Sequence, residues 1–291
     1  MFLTLANIVL PVFLIIAVGA LYAKRFKPDI GWINKLNMDV FIPALIFSVL
    51  SSSDFQLVNY WHLVIGTSVV VLGSGLILWP LVKPLKVSAK TFLPPMMFNN
   101  TGNMGIPLLL LAFGEAALPA AITVFITVTL LHFTLGLYIL NSNTKFSSLF
   151  KIPILVASVV GLLASHFNVQ LPSALATPVA MLGQISIPLM LFALGVRLLD
   201  VNFKDMKLGV VGAIACPVSG MLLAYLVAPF LTLPDQQWGI LLVVAALPPA
   251  VLNFMLAEQY QQEPQRVASI VLAGNFASLV FIPLALWLAL F

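Results

Sequence analysis

Charge is what this chain has least of. Lys, Arg, Asp and Glu make up 8% of its 291 residues, against 62% hydrophobic residues. A water-soluble domain carries about 25% charged residues. This chain cannot clothe a water-facing surface, so its solvent must be largely lipid. Cysteine is scarce too. Cys216 stands alone inside an apolar run, which excludes an intrachain disulfide and any cysteine-based zinc pattern. The motifs of intramembrane and nucleotide-driven enzymes are missing: there is no H-E-x-x-H, no G-x-S-x-G and no Walker loop. Gly73 and Gly75 read as close-packing positions on a helix. A net charge of +4 comes without a basic stripe or stacking platform, which argues against a nucleic-acid partner. No metal site and no cofactor is implied.

What the chain does have is long apolar runs. A helix needs about 20 residues to cross a bilayer. Ten such spans fit, at 3–23, 34–53, 61–82, 90–113, 116–140, 152–167, 172–197, 208–230, 236–257 and 267–290. The run from Ile152 to Val196 is uncharged but too long for one crossing; His166, Asn168, Gln170 and Pro172 supply the turn that divides it. Met1 to Ala23 has no basic leader and reads as a retained helix, not a cleavable signal.

The 13 Lys and Arg residues set a topology. The loops after the odd spans hold Lys24, Arg25, Lys27 and Lys35; Lys83, Lys86 and Lys90; Lys145 and Lys151; Arg197, Lys204 and Lys207; and Arg266. The even loops hold none, only Asp54, Glu115 and Asp235. Basic loops stay cytoplasmic. The expectation is a multi-pass protein of the plasma (inner) membrane with both termini extracytoplasmic.

Five spans followed by five place the two halves in opposite orientations, and the halves echo one another. Span 2 reads DVFIPALIF from Asp39 to Phe47, and span 7 reads QISIPLMLF from Gln184 to Phe192; both contain I-P-x-x-x-F. Span 4 reads PPMMFN from Pro94 to Asn99, and span 9 reads PPAVLN from Pro248 to Asn253; both are P-P-x-x-x-N. The pattern predicts an all-α membrane protein, ten helices in a 5+5 inverted repeat, with residues 1–142 as one repeat and 148–291 as the other.

Spans 4 and 9 should be broken. From Pro94 to Pro107 the chain has three prolines, two glycines and three asparagines at mid-span. Proline removes a backbone donor and clashes with the preceding turn. Irregular backbone at that depth persists only when buried in protein or lining a wet cavity. Span 9 is expected to break more mildly, at Pro248-Pro249. Each break exposes a helix N-terminus with unpaired N–H groups and partial positive charge. Two of them, converging, would make an anion site without a cationic side chain, since every Lys and Arg lies in a loop or at a span end. Candidate substrate-binding residues are Asn99, Asn100, Thr101, Asn103, Gly105, Pro249 and Asn253.

Intramembrane acids usually mark proton or cation routes. Here Asp39 lies one turn after Lys35, as for an i,i+4 pair, and no two carboxylates meet at the breaks. That argues against an antiporter built on paired acids, while leaving sodium held by amides open. His132 reads as a hydrogen-bonded structural residue. Asp39, Gln184, Asn275, Ser278 and His132 are kept as candidates for the cavity or for coupling.

At two segments the sequence resembles the auxin efflux carrier family, which includes the plant PIN carriers and bacterial malonate and malate carriers. One is Asn100-Thr101 followed by Met104-Gly105-Ile106-Pro107-Leu108. The other runs from Ala246-Leu247-Pro248-Pro249 through Ala257-Glu258-Gln259-Tyr260 to Pro264. The resemblance implies a fold similar to bile acid symporters, with helices 1, 2, 6 and 7 as scaffold and helices 3–5 and 8–10 as transport domain. It also implies a homodimer formed through the scaffold and an elevator mechanism. Asn100 matches the family's crossover asparagine, which contacts the substrate carboxylate. Two features depart from the plant members: their crossover prolines fall here on Asn99 and Asn253, and the loop from Asn141 to Lys151 is short. Both favour an anion smaller and more polar than auxin. The function expected is secondary transport of a small carboxylate. The alternatives are a sodium-coupled organic-anion symporter of bile acid type and a non-transport sensor or accessory subunit.

Overall fold

The computed structural model describes residues 2–52, 55–142, 149, 151–169, 171–198 and 205–291. Asp54, Lys145, Gln170 and Lys204, which carried loop or turn assignments, lie outside the described residues. Within those residues the protein is helical and has no strand.

The helices are α1 (Phe2–Phe26), α2 (Gly31–Leu50), α3 (Leu57–Leu81), α4 (Ala89–Met97), α5 (Thr101–Phe113), α6 (Glu115–Leu140), α7 (Pro153–His166), α8 (Ser173–Leu198), α9 (Met206–Phe230), α10 (Asp235–Ala245), α11 (Val251–Gln259) and α12 (Pro264–Leu290). Their starts follow local rules. Ser88 caps α4 by accepting from the Lys90 N–H, and Asp205 caps α9 by accepting from the Leu208 N–H. Proline occupies the first turn of α7 and α12, where no N–H is needed. Gly114 turns α5 into α6 at φ +78°, a backbone conformation that favours glycine.

Seven of these helices are long and apolar enough to cross a membrane: α1, α2, α3, α6, α8, α9 and α12. The protein is an all-helical membrane protein. The remaining expected spans look different. Spans 4 and 9 are each two short helices, α4 with α5 and α10 with α11, and span 6 is the 14-residue α7.

Lipid tails are as apolar as leucine, so helices in a membrane associate through close packing at small residues. Gly19 of α1 abuts the Phe192 carbonyl of α8, and Gly195 of α8 abuts the Ile16 carbonyl of α1. Gly183 of α8 lies against the Leu45 backbone of α2, so the two I-P-x-x-x-F helices touch. Elsewhere Gly220 of α9 meets the Ala245 carbonyl of α10, and Gly209 of α9 meets the Ser269 carbonyl of α12.

Three helices carry a widened π-helical turn: Asn37–Phe41 in α2, Thr101–Gly105 in α5 and His132–Gly136 in α6. The first overturns an expectation. Lys35 and Asp39 form no ion pair, and the ion pairs among the described residues all involve Arg266. The extra residue in that turn rotates Asp39 away from the i,i+4 position, and it ends exposed.

Arg266 fastens the ends of several helices. It donates to Asp205 at 3.1 Å and to Glu263 at 2.9 Å, while the Thr91 hydroxyl of α4 donates to Glu263 at 2.6 Å. The Leu208 N–H, aided by Arg266, holds Asp205 below the usual carboxylate range against the opposing effect of burial. Burial would lift Glu263, but the Thr91 hydroxyl and Arg266 outweigh it.

Two outcomes are expected. Gly195→Leu forces a side chain into the Ile16 carbonyl and should destabilise the protein by about 2 kcal/mol or more, seen as a lower melting temperature in detergent. Both acids have depressed folded pKa values, so their stabilisation is present above the ordinary carboxylate pKa and is lost as pH falls through the folded value. Melting temperature should therefore drop on acidification below about pH 4, and less steeply in Arg266→Gln. An equal slope in both proteins would refute the role given to this cluster.

Candidate functional site

The two interruptions meet. Phe98, Asn99 and Asn100 leave the helix between α4 and α5; Ala246 to Ala250 leave it between α10 and α11. The second break is five residues long and the first three, so the break expected to be milder is the longer one. Doubled prolines explain this. Pro94 and Pro95 lie inside α4, whereas Pro248 and Pro249 fall at the break itself and remove two successive backbone N–H donors.

The extended segments pair antiparallel, Asn99 opposite Pro249. The Asn100 N–H donates to the Pro248 carbonyl at 2.8 Å, and the Ala250 N–H donates to the Phe98 carbonyl at 3.0 Å. Two asparagine side chains reinforce the pair from opposite sides. Asn99 Nδ2 donates to the Val244 carbonyl at 3.0 Å, at the end of α10, and Asn99 Oδ1 accepts from the Cys216 thiol at 3.3 Å. Asn253 Nδ2 donates to the Phe98 carbonyl at 2.9 Å, just past the end of α4. Each asparagine thus adds a second donor to a carbonyl of the other interruption, beside the Leu247 N–H at Val244 and the Ala250 N–H at Phe98. The P-P-x-x-x-N strings are nevertheless out of register in space: Asn99 sits in the bridge, and Asn253 sits within α11.

A cavity of about 110 Å³ lies against this junction. Asn99, Asn100, Thr101, Gly102 and Asn103 line it from the first interruption and the start of α5; Ala250, Val251 and Leu252 line it from the second and the start of α11. Asn34 and Asn37 of α2, Thr129 and His132 of α6 and Arg197 of α8 complete its polar lining. All three π-helical turns contribute to it. Four buried polar atoms on these lining residues have no hydrogen-bond partner: Asn34 Nδ2, Asn37 Oδ1, Asn100 Nδ2 and His132 Nε2. Buried polar groups are ordinarily satisfied, so four around one cavity mark a place for a polar solute or water. Among the described residues, Arg197 is the one charged residue in the lining and no carboxylate lines it.

The sequence candidates divide accordingly. Asn99, Asn100, Thr101, Asn103 and His132 line the cavity. Gly105, Pro249 and Asn253 lie behind it. A Cβ on Gly105 would come within 3.0 Å of Leu247, so glycine there lets the second interruption approach. His132 stacks on the Phe98 ring, with centroids 4.1 Å apart. Asp39 and Gln184 are exposed and away from the cavity. Asn275 and Ser278 are buried but bond within α12, to the Val271 and Asn275 carbonyls; they join helix turns and do not reach the cavity. Sequence reasoning missed Asn34, Asn37, Thr129 and Arg197. An N-x-x-N spacing at the start of α2 was the available signal for the first two. Arg197, counted among the loop and span-end charges, stands at the end of α8 and borders the cavity.

An all-helical membrane protein with a solute-sized polar cavity at a paired break in two helices has the features of a membrane transporter. The chain belongs to the family described as membrane transport protein, which it matches over residues 4–148 and 140–288, in keeping with its likeness to the auxin efflux carriers. It is 23% identical to an uncharacterized transporter of Methanocaldococcus jannaschii, over 98% of each chain. An uncharacterized transporter of Methanothermobacter thermautotrophicus is 28% identical, over 89% of this chain and 88% of the relative. A Rhizobium meliloti protein with the provisional name of malonate transporter is 24% identical, over 98% of this chain and 95% of its own. These are membrane transporters, not enzymes.

Asn99→Ala should remove the side-chain donor shared by the Val244 and Ala245 carbonyls and lower stability by about 1–3 kcal/mol. Asn103→Ala, whose side chain spans no interruption, should cost less. Thermal unfolding of the two variants in detergent compares them; equal losses would remove Asn99 from its structural role.

Proposed function

We propose that the protein is a secondary carrier of a small organic anion, a carboxylate, bound at the junction of the two interrupted helices. The observation that carries this reading is the cavity lining: amide donors and two helix N-termini, with no carboxylate among the described residues. Helix N-termini favour anions. The size of the cavity narrows the class. A water-sized group needs about 10–15 Å³ of such volume, so the space suits on the order of ten heavy atoms. Malonate or malate fits this, and a sterol-sized anion does not, which sets the bile acid alternative behind. The provisional name of the Rhizobium meliloti relative points the same way.

The architecture belonging to this reading is a ten-span, 5+5 inverted repeat with both termini extracytoplasmic. The scaffold is α1, α2, α7 and α8, and it carries the homodimer contact. The transport domain is α3–α6 and α9–α12, moving as an elevator. The glycine contacts support the division: those of Gly19, Gly195 and Gly183 join α1, α2 and α8, and those of Gly209 and Gly220 join α9, α10 and α12. The cavity lies between the two sets, where a moving domain would need its cargo.

Counterflow uptake in proteoliposomes, with malonate, malate, lactate and indole-acetate, tests the proposal. At least one small carboxylate should exchange, and Asn100→Ala should cut its apparent affinity roughly tenfold by removing a donor to a charged group. No exchange of any of them by inserted, folded protein would reject the carboxylate reading.

A further inference from the structure

We propose that Asn34 and Asn37 read a hydroxyl on the substrate, so that the cavity prefers a hydroxy acid to the same acid without its hydroxyl. The inference rests on the carboxylate reading above and adds to it a pair of residues outside both interruptions.

The unpartnered atoms around the cavity are not all of one kind. Asn100 Nδ2, at the junction, and Asn34 Nδ2, on α2, are donors, whereas Asn37 Oδ1 is an acceptor. An ionised carboxylate has acceptors only. It can meet the donors, but against Asn37 Oδ1 it would set one negative oxygen facing another. That oxygen calls for a donor on the solute. Asn34 and Asn37 are three residues apart on α2, a spacing that makes side chains neighbours on one face, and both border the cavity. Neither Asn34 Nδ2 nor Asn37 Oδ1 has a partner, so the two do not satisfy each other. A hydroxyl is the small group that answers both, because its oxygen accepts and its proton donates. An ammonium would serve the Asn37 oxygen alone, and a second carboxylate the Asn34 nitrogen alone. Asn37 is only 4% exposed, so its oxygen has little recourse to bulk water, and a buried acceptor left bare is costly. The Asn37–Phe41 turn packs against α7 and α8, which holds this acceptor beside the cavity. A site built to bond a hydroxyl rejects the analogue that lacks it. The carboxylate then lies toward Asn100 and the hydroxyl toward α2.

The test is equilibrium binding by calorimetry on purified full-length protein, with two ligand pairs that differ by one hydroxyl: lactate with propionate, and malate with succinate. Both enantiomers of each hydroxy acid are run and the tighter one is taken. In whichever pair binds, wild type should favour the hydroxy acid by roughly tenfold or more, as for a net gain of one to two hydrogen bonds. Asn37→Ala should bring that ratio close to one, by weakening the hydroxy acid more than its counterpart. Asn34→Ala should lower it in part, because it removes the donor and leaves the acceptor. Because the ratio is taken within one variant, a loss of folded protein does not alter it. Equal affinities within a pair in wild type would mean that water, not substrate, meets the two amides, and would overturn the proposal while leaving the carboxylate reading intact. An unchanged ratio in either variant would do the same. Binding of none of the four acids to wild type would sink the carboxylate reading and this proposal with it.

Discussion

The pairing of two interrupted backbones is the constraint on which the rest depends. A helix that stops inside a membrane leaves carbonyls and amides that neither lipid nor its own turns can satisfy. Here one break answers the other. Two backbone hydrogen bonds join Phe98 and Asn100 to Ala250 and Pro248, and the Asn99 and Asn253 amides take up further carbonyls across the junction. The Phe98 carbonyl accepts from both the Ala250 N–H and Asn253 Nδ2, and the Val244 carbonyl from both the Leu247 N–H and Asn99 Nδ2, so the junction is held by paired donors. The neighbouring glycines and the close approach of α9 to α10 are consequences, because the junction forms only if the backbones come this near.

That constraint also sorts the asparagines by role. Asn99 and Asn253 look equivalent to Asn100 in sequence, being amides at a break. Their Nδ2 donors, however, are spent on carbonyls, whereas that of Asn100 is not. Of two adjacent amides, one is therefore spent on the junction and the other is not. The π-helical turns continue the same logic. Each widens a helix by a residue where it borders the cavity, and a widened turn can aim a side chain that a regular helix would direct elsewhere.

Much of this was legible in the sequence, and the illegible part has identifiable causes. Hydropathy located the helices to within a few residues, and proline with asparagine located both breaks. Composition could not give the register between the breaks. The P-P-x-x-x-N match makes Asn99 and Asn253 equivalent positions of two repeats and says nothing of what each meets; the backbone pairs Asn99 with Pro249. A local string does not encode which residue of a distant segment it meets. The Lys35–Asp39 pair failed for a related reason: it assumed 3.6 residues per turn in a helix that locally has more. Arg197 does stand at a span end, as counted, but a count of charges cannot show that α8 ends beside the cavity.

The balance of charge bears on how such a site can release what it binds. A cavity ringed with fixed cations would hold a carboxylate strongly in a low dielectric and let it go slowly. Neutral donors and helix ends attract less and can be exchanged for water at little cost. The described lining contributed by the junction supplies only attractions of this second kind. A site built from such donors can hold a solute and still give it up, because each contact it loses is replaced by water at small cost.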